Sequence, residues 1–292
     1  MIGEALAICT ALCWATSPII YRKALVGADL VVANLVRAIP ATILATMFFL
    51  GFGGFETVLT LDLQSLVLII VSVLTGQVLG DLLLFRSILE MGASRSCAIF
   101  STHPLFSMLF AFLILNETLS WNTLFGGFAV VGGLWLINLS MPGQLGRDSS
   151  RSRIHILKPL FGASLWGVST FVLKIVLRTR GPLETITLRM IILSGLLLLT
   201  VMMSDRIVPL KLLKRKDIYM LGSAGVIALA LGNFLFYVAL RLIQLSVAAP
   251  LSSISPLFST LFAVMFLKEK VSGGQVLGIV SIFIGTLVLT VF

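Results

Sequence analysis

Charge is what this chain has least of. Only 11% of its residues are Asp, Glu, Lys or Arg, against 58% hydrophobic, and the mean hydropathy is +1.11. A soluble domain carries about a quarter of its residues as charges, so a water-facing surface is excluded. The excess of apolar side chains fits lipid, where a helix needs about 20 predominantly apolar residues to cross. Histidine and cysteine are equally scarce. With two histidines and three cysteines, and no CxxC pair, neither a zinc site nor a disulfide frame is available. Cys9, Cys13 and Cys97 lie inside apolar runs, where thiols act as small hydrophobes. The first residues, Met1-Ile2-Gly3-Glu4, lack the basic region of a secretory signal, so the first apolar run reads as a retained span. No GxxxxGK[ST] stretch occurs, which argues against ATP-driven chemistry. No cofactor is expected.

What is abundant is basic charge relative to acid, with 21 Lys and Arg against 12 Asp and Glu, a net +9. The basic residues sit in short clusters between apolar runs, a distribution explained by the positive-inside rule and not by nucleic-acid binding. Apolar runs fall at roughly 2–21, 30–50, 64–84, 96–115 and 121–140, then at roughly 157–177, 183–203, 217–236, 248–267 and 273–292. Between the two sets lies a stretch rich in Pro, Gly, Ser and Arg, a polar linker over 141–156. The expected fold is all-α and integral to the membrane, with ten transmembrane helices.

The two sets are copies. Trp14 recurs as Trp166, and 166 − 14 = 152. The same offset carries Arg22 to Lys174, Arg37 to Arg189, Gly80 to Gly232, Phe85 to Tyr237, Pro104 to Pro256 and Glu117 to Glu269. It ends with Ser120 to Ser272, Gly126 to Gly278 and Gly133 to Gly285. Residues 1–140 and 157–292 therefore read as two five-helix repeats. Five is odd, so the second repeat enters the membrane from the opposite side. Inverted repeats of this kind are a construction many secondary transporters share. Lys and Arg outside the spans gather on the face that holds the linker, the Ser204–Lys216 connection, Lys268 and Lys270. The other face has only Lys174, Arg178, Arg180 and Arg241. The richer face is expected to be cytoplasmic, with both termini outside.

Asn116-Glu117-Thr118-Leu119-Ser120 followed by Gly126 and Gly133, and Lys268-Glu269-Lys270-Val271-Ser272 followed by Gly278 and Gly285, carry a family resemblance. With Trp14 and Trp166 they resemble the drug/metabolite transporter superfamily, in its EamA-like ten-helix branch. The resemblance implies a carrier of the inner or plasma membrane, often an exporter of amino acids or related metabolites, with a cavity lined by the first four helices of each repeat. It also implies cytoplasmic termini in many members, against the charge count, which is kept here.

Candidate site residues follow from cost. Charge within lipid is expensive and usually functional. Arg37 and Arg189 sit about seven residues inside their helices, roughly 10 Å deep at 1.5 Å per residue; snorkelling to the head groups is the plain alternative. Asp81 can pair with Arg37 as a structural pair or gate. At the equivalent place in the second repeat stands Asn233, which leaves Arg189 without that carboxylate and open to an anionic or zwitterionic substrate. Trp14, Trp166, Asn233, Tyr237 and His103 are the further cavity candidates, packing being the alternative for the indoles and a core hydrogen bond for the histidine.

Glu117 and Glu269 precede serines placed to cap the next helices, so a structural turn role is set against ion pairing with substrate. Gly126, Gly133, Gly278 and Gly285 are spaced for close packing between repeats or between protomers of a homodimer. Pro18, Pro40, Pro104, Pro250 and Pro256 interrupt runs and are expected to kink them, while Pro159 and Pro182 fall at helix starts. The expected partners are membrane lipid and a small-molecule substrate. A lipid flippase or scramblase would use the same architecture; a membrane-embedded enzyme would need clustered acids or histidines that this chain lacks.

Overall fold

The computed structural model describes residues 1–16, 29–52, 61–91, 96, 99–139, 152–204, 213–255, 257–258 and 272–291. Among them every regular element is helical: α1 (Ile2–Ala15), α2 (Leu30–Phe52), α3 (Leu63–Ser72), α4 (Asp81–Met91), α5 (His103–Leu115) and α6 (Trp121–Leu139). The second half continues with α7 (Ser152–Thr179), α8 (Pro182–Met203), α9 (Arg215–Gly225), α10 (Asn233–Leu242), α11 (Leu245–Ser252) and α12 (Gly273–Val291). Two π-helical stretches, Val73–Gly80 and Val226–Gly232, join α3 to α4 and α9 to α10 without a break. Six of these continuous helices are long and apolar enough to cross a membrane, and Ile2–Ala15, His103–Leu115 and Trp121–Ile137 are shorter apolar helices.

Local signals start the helices. The Asp62 side chain accepts from Ser65 N at 2.8 Å ahead of α3, and Pro182 opens α8. Ser120 accepts from Thr123 N at 3.1 Å ahead of α6. At α12, Ser272 accepts from Gln275 N (3.3 Å) while Gln275 Oε1 accepts from Ser272 N (2.8 Å), a reciprocal cap. Helix α5 ends at Asn116, whose φ of 54° is left-handed.

Several elements outrun the apolar runs. α4 passes the end of its run because Arg86 and Glu90, one turn apart, pair at 2.6 Å. α7 begins at Ser152, inside the expected linker, so Pro159 lies within a helix and not at its start. Residues 152–156 of the expected linker are helical, and Lys158, just past it, is tied to Glu90 at 2.5 Å. The run 96–115 is interrupted by a turn at Ser101-Thr102, and Pro104 takes the first turn of α5. Pro40 and Pro250 sit inside α2 and α11. Pro18, Pro256, Glu269, half of 248–267 and most of the linker fall outside the described residues.

Large apolar side chains face outward, and several charged and amide side chains are buried within the apolar core. Met47, Phe112, Phe128 and Phe283 are at least half exposed, whereas Asn34, Arg37, Gln77, Asp81 and Arg189 are buried. That arrangement matches a chain solvated by lipid.

α6 packs along α12, the most extensive pairing among the described residues. Gly126 meets Gly285 and Leu289, while Gly133 meets Gly278 and Ile282, so the two helices run antiparallel. α2 and α8 also run antiparallel, with Thr42 bonded to Met190 O and Ser194 Oγ, and Thr187 to Ala45 O. Both pairings join segments 152 residues apart. All four candidate glycines are therefore used within the chain. A Cβ on Gly133 would lie 2.6 Å from Gly278 O, whereas one on Gly132 meets nothing within 4 Å. Gly133→Leu should cost about 1–3 kcal/mol or more by overpacking, and Gly132→Leu should cost little. Unfolding of the two variants in mixed micelles checks this; equal stability would mean that the α6–α12 seam does not hold the fold.

Candidate functional site

Asn34, Gln77, Arg37, Asp81 and Arg189 form a buried polar cluster where the π-helical stretches meet α2, α7 and α8. Arg37 on α2 is 4% exposed and Asp81, the first residue of α4, is 5% exposed; the Arg37 guanidinium donates to Asp81 Oδ2. Asn34 Oδ1 accepts from Arg37 Nε at 2.8 Å, and Asn34 Nδ2 reaches Gln77 O at 2.9 Å. Trp166 Nε1 on α7 donates to the other Asp81 oxygen at 3.0 Å. Both carboxylate oxygens are thus engaged.

Arg189 is 1% exposed and lies in different company. It donates to the Tyr237 hydroxyl, to Ser72 O at 3.1 Å and to Ser169 Oγ at 3.3 Å. Every one of these partners is a neutral dipole. Its Nε has no partner among the described residues. Neither arginine snorkels. Each lies over an aromatic ring, Arg37 at 5.1 Å from the Phe85 centroid and Arg189 at 5.5 Å from that of Tyr237. Phe85 and Tyr237 occupy the same place at the 152-residue offset, as do Asp81 and Asn233.

The indoles cross between the halves. Trp166 packs against Gly80, and Trp14 against Gly232, in each case on the last residue of a π-helical stretch. A Cβ on Gly80 would lie 2.6 Å from the Trp166 ring. Trp14 Nε1 donates to Ala228 O at 3.2 Å, a carbonyl that also accepts from Asn233 N. The two indoles meet edge-on at 6.4 Å, with Phe236 at 5.3 Å from Trp14. His103 touches Trp166 at 6.5 Å and bonds Phe100 O (3.2 Å) and Ser253 Oγ (3.1 Å). It is half-buried and hydrogen-bonded beside the cluster. Asn233 and Tyr237 are buried on one face of α10.

Glu117 stands elsewhere, at one end of the bundle. It accepts from Leu245 N, Ser246 N and Ser246 Oγ at 2.9–3.0 Å, so it caps α11. Lys174 donates to Leu240 O and to Ile243 O (2.6 Å) at the end of α10. An anion on N–H groups and a cation on carbonyls match the two helix ends they face. At the same end, the Arg180 guanidinium donates to Asp62 at 2.6 Å and holds that carboxyl well below the usual carboxylate range. The same bond raises the Arg180 pKa. A shallow cleft of about 410 Å³ opens here, lined by Glu4, Lys174, Arg241 and Gln244 among others, well away from the arginine cluster.

The comparisons with known proteins fit this geometry. The sequence profile of the EamA-like transporter family matches residues 1–139 and again 154–291. The chain belongs to the EamA-like transporter family. An uncharacterized transporter of Archaeoglobus fulgidus is 28% identical over 292 residues, covering 99% of this EamA-like chain and 98% of that protein. An uncharacterized protein of Methanocaldococcus jannaschii is 32% identical over 143 residues, which is 47% of this chain and 96% of that one. A solved crystal structure superimposes with a TM-score of 0.80 at 15% identity, covering 99% of this chain and 96% of that chain, so the EamA-like fold is shared. The family makes this a multi-pass membrane protein of the drug/metabolite transporter superfamily, and its names point to transport and not to an enzyme.

Sequence reasoning about this EamA-like chain missed Ser72, Ser169, Gln77 and Asn34, which hold the two arginines in place. For Asn34 and Ser169 a polar residue in an apolar run was the available signal; Ser72 and Gln77 contribute backbone carbonyls, which leave none. The π-helical stretches were also missed, since apolar periodicity does not separate them from α-helix.

Proposed function

We propose that this chain is a secondary transporter of small organic carboxylates, acidic or zwitterionic, and that Arg189 receives the carboxylate. The observation that carries the reading is a fully buried arginine whose described partners are all neutral, between the two halves of the chain. Arg37 and Asp81 cancel, so the cluster holds one positive charge in excess. An unpaired buried charge is costly, and an anion bound through two parallel N–H bonds relieves that cost.

Ten spans arranged as two inverted five-helix repeats, residues 1–140 and 157–292, supply the motion. Antiparallel pairing of α2 with α8 and of α6 with α12 supports inversion, because each pair joins equivalent segments. The double profile match and the half-length archaeal relative support duplication. In this reading the halves rock about the cluster, opening it to either side in turn. Arg37 and Asp81 serve as the gate pair. Contacts group the connections into two ends: Asp62, Glu117, Arg180 and Ile243 at one, Glu90 and Lys158 at the other. The basic excess assigns the second end to the cytoplasm of the cell membrane, with both termini outside.

Counterflow into proteoliposomes, with labelled amino acids and organic acids and with or without a proton gradient, tests the function. A carboxylate should exchange and an amine lacking a carboxylate should not. Movement of labelled lipid instead of any solute would establish a scramblase in its place. In a background with Cys9, Cys13 and Cys97 replaced by Ala, a cysteine at Gly181 should react with impermeant thiol reagents in intact cells. One at Ser204 should be shielded, and the reverse pattern would invert the orientation.

A further inference from the structure

The two halves treat the same arginine differently, and the difference lies in two residues of one helix. In the first half the arginine meets Asp81, and the residue one turn on is Phe85. In the second half Asn233 replaces the acid, and Tyr237 presents a hydroxyl to Arg189. The phenol supplies a dipole where the carboxylate supplied a charge. Arg189 keeps a hydrogen-bond partner and loses its counter-ion.

The cluster's unpartnered atoms have a direction as well. Arg189 Nε, Asn233 Nδ2 and Gln77 Nε2 are buried donors with no partner among the described residues, against one such acceptor, Gln77 Oε1. Asn233 is 3% exposed and Gln77 is fully buried. Donors in excess of acceptors around an excess positive charge are a demand for an anion. An acceptor among them suits an ammonium or hydroxyl on the same ligand.

We infer that residue 233 sets the charge selectivity of the site: Asn233 leaves Arg189 open to one carboxylate from outside, and an acid there would occupy Arg189 from within. This inference rests on the carboxylate-transport reading above and deepens it. Asp81 is then the internal counterpart of the ligand, already seated on Arg37. Asn233 acts twice, by withholding a competing charge and by offering its own N–H to the ligand. The indoles of Trp14 and Trp166 and the ring of Phe236 give an aromatic flank, so the ligand chemistry is a monocarboxylate with a flat apolar body.

Calorimetric titration of the detergent-purified full chain with benzoate and with benzylamine tests this, since the pair differs in charge at nearly constant shape. The wild type should bind benzoate and not benzylamine. Asn233→Asp should lose benzoate by roughly a hundredfold, because Arg189 gains an internal partner. Asn233→Leu, which removes the donor without adding charge, should lose roughly tenfold, and it stands as the test if the acid variant does not fold. Benzoate held equally by wild type and both variants would overturn the role of residue 233 while leaving the carboxylate reading intact. A wild type that prefers benzylamine, or binds neither, would overturn the carboxylate reading and this inference with it.

Discussion

Asp81→Asn is expected to destabilise the folded chain by about 3–5 kcal/mol, the cost of stranding one member of a buried ion pair. Arg37 is 4% exposed. The change would put a neutral amide in place of its counter-ion, while Asn34 Oδ1 goes on accepting from Nε. Trp166 could still donate to the remaining oxygen, so packing of the indole should survive and the loss should be electrostatic. Tolerance of Asn at the equivalent position 233 does not argue otherwise, because there Tyr237 supplies a hydroxyl that Phe85 lacks. Asp81→Asn combined with Phe85→Tyr rebuilds the second-half arrangement around Arg37 and should recover part of the loss. Equilibrium unfolding in mixed micelles measures both variants. A single variant as stable as wild type would mean that the Arg37–Asp81 bond contributes nothing.

How much of this could be read in advance depends on whether a residue acts locally or across the bundle. Ser120 and Ser272 announce their caps by position, since a cap is a contact of three residues. The membrane class and the helices follow from apolar runs, for which composition suffices. The Arg37–Asp81 pair was accessible because a lone acid and a lone base at depth have few other ways to be neutralised. The partners of Arg189 were not. Ser72 contributes a backbone carbonyl, which carries no sequence signal, and Ser169 comes from a helix 20 residues upstream. Glu117 gave only its rank in a loop; that it caps α11, 128 residues away, needs the fold. Pro159 misled as a helix start because the helix that contains it begins at Ser152, in a polar stretch that looks like linker.

Arg189→Lys should reduce benzoate counterflow at least tenfold while leaving the unfolding midpoint nearly unchanged. Lysine keeps the charge, so the electrostatic demand of the cluster persists and folding should tolerate the change. What it lacks is the planar fork. Arg189 spreads its donors over the Tyr237 hydroxyl, Ser72 O and Ser169 Oγ and keeps Nε free among the described residues. A single ammonium that serves those groups has no second, parallel N–H for a carboxylate. The loss should therefore fall on apparent affinity more than on the amount of folded protein. Arg189→Ala removes the charge as well and should abolish counterflow. Because it also leaves Tyr237 and Ser169 without their donor, the lysine variant is the cleaner reading of the two. Tyr237→Phe offers an independent check: it removes the dipole that holds one guanidinium nitrogen and should weaken benzoate severalfold by loosening the fork. If Arg189→Ala exchanges benzoate with wild-type affinity, the carboxylate is held elsewhere and Arg189 is a structural cation.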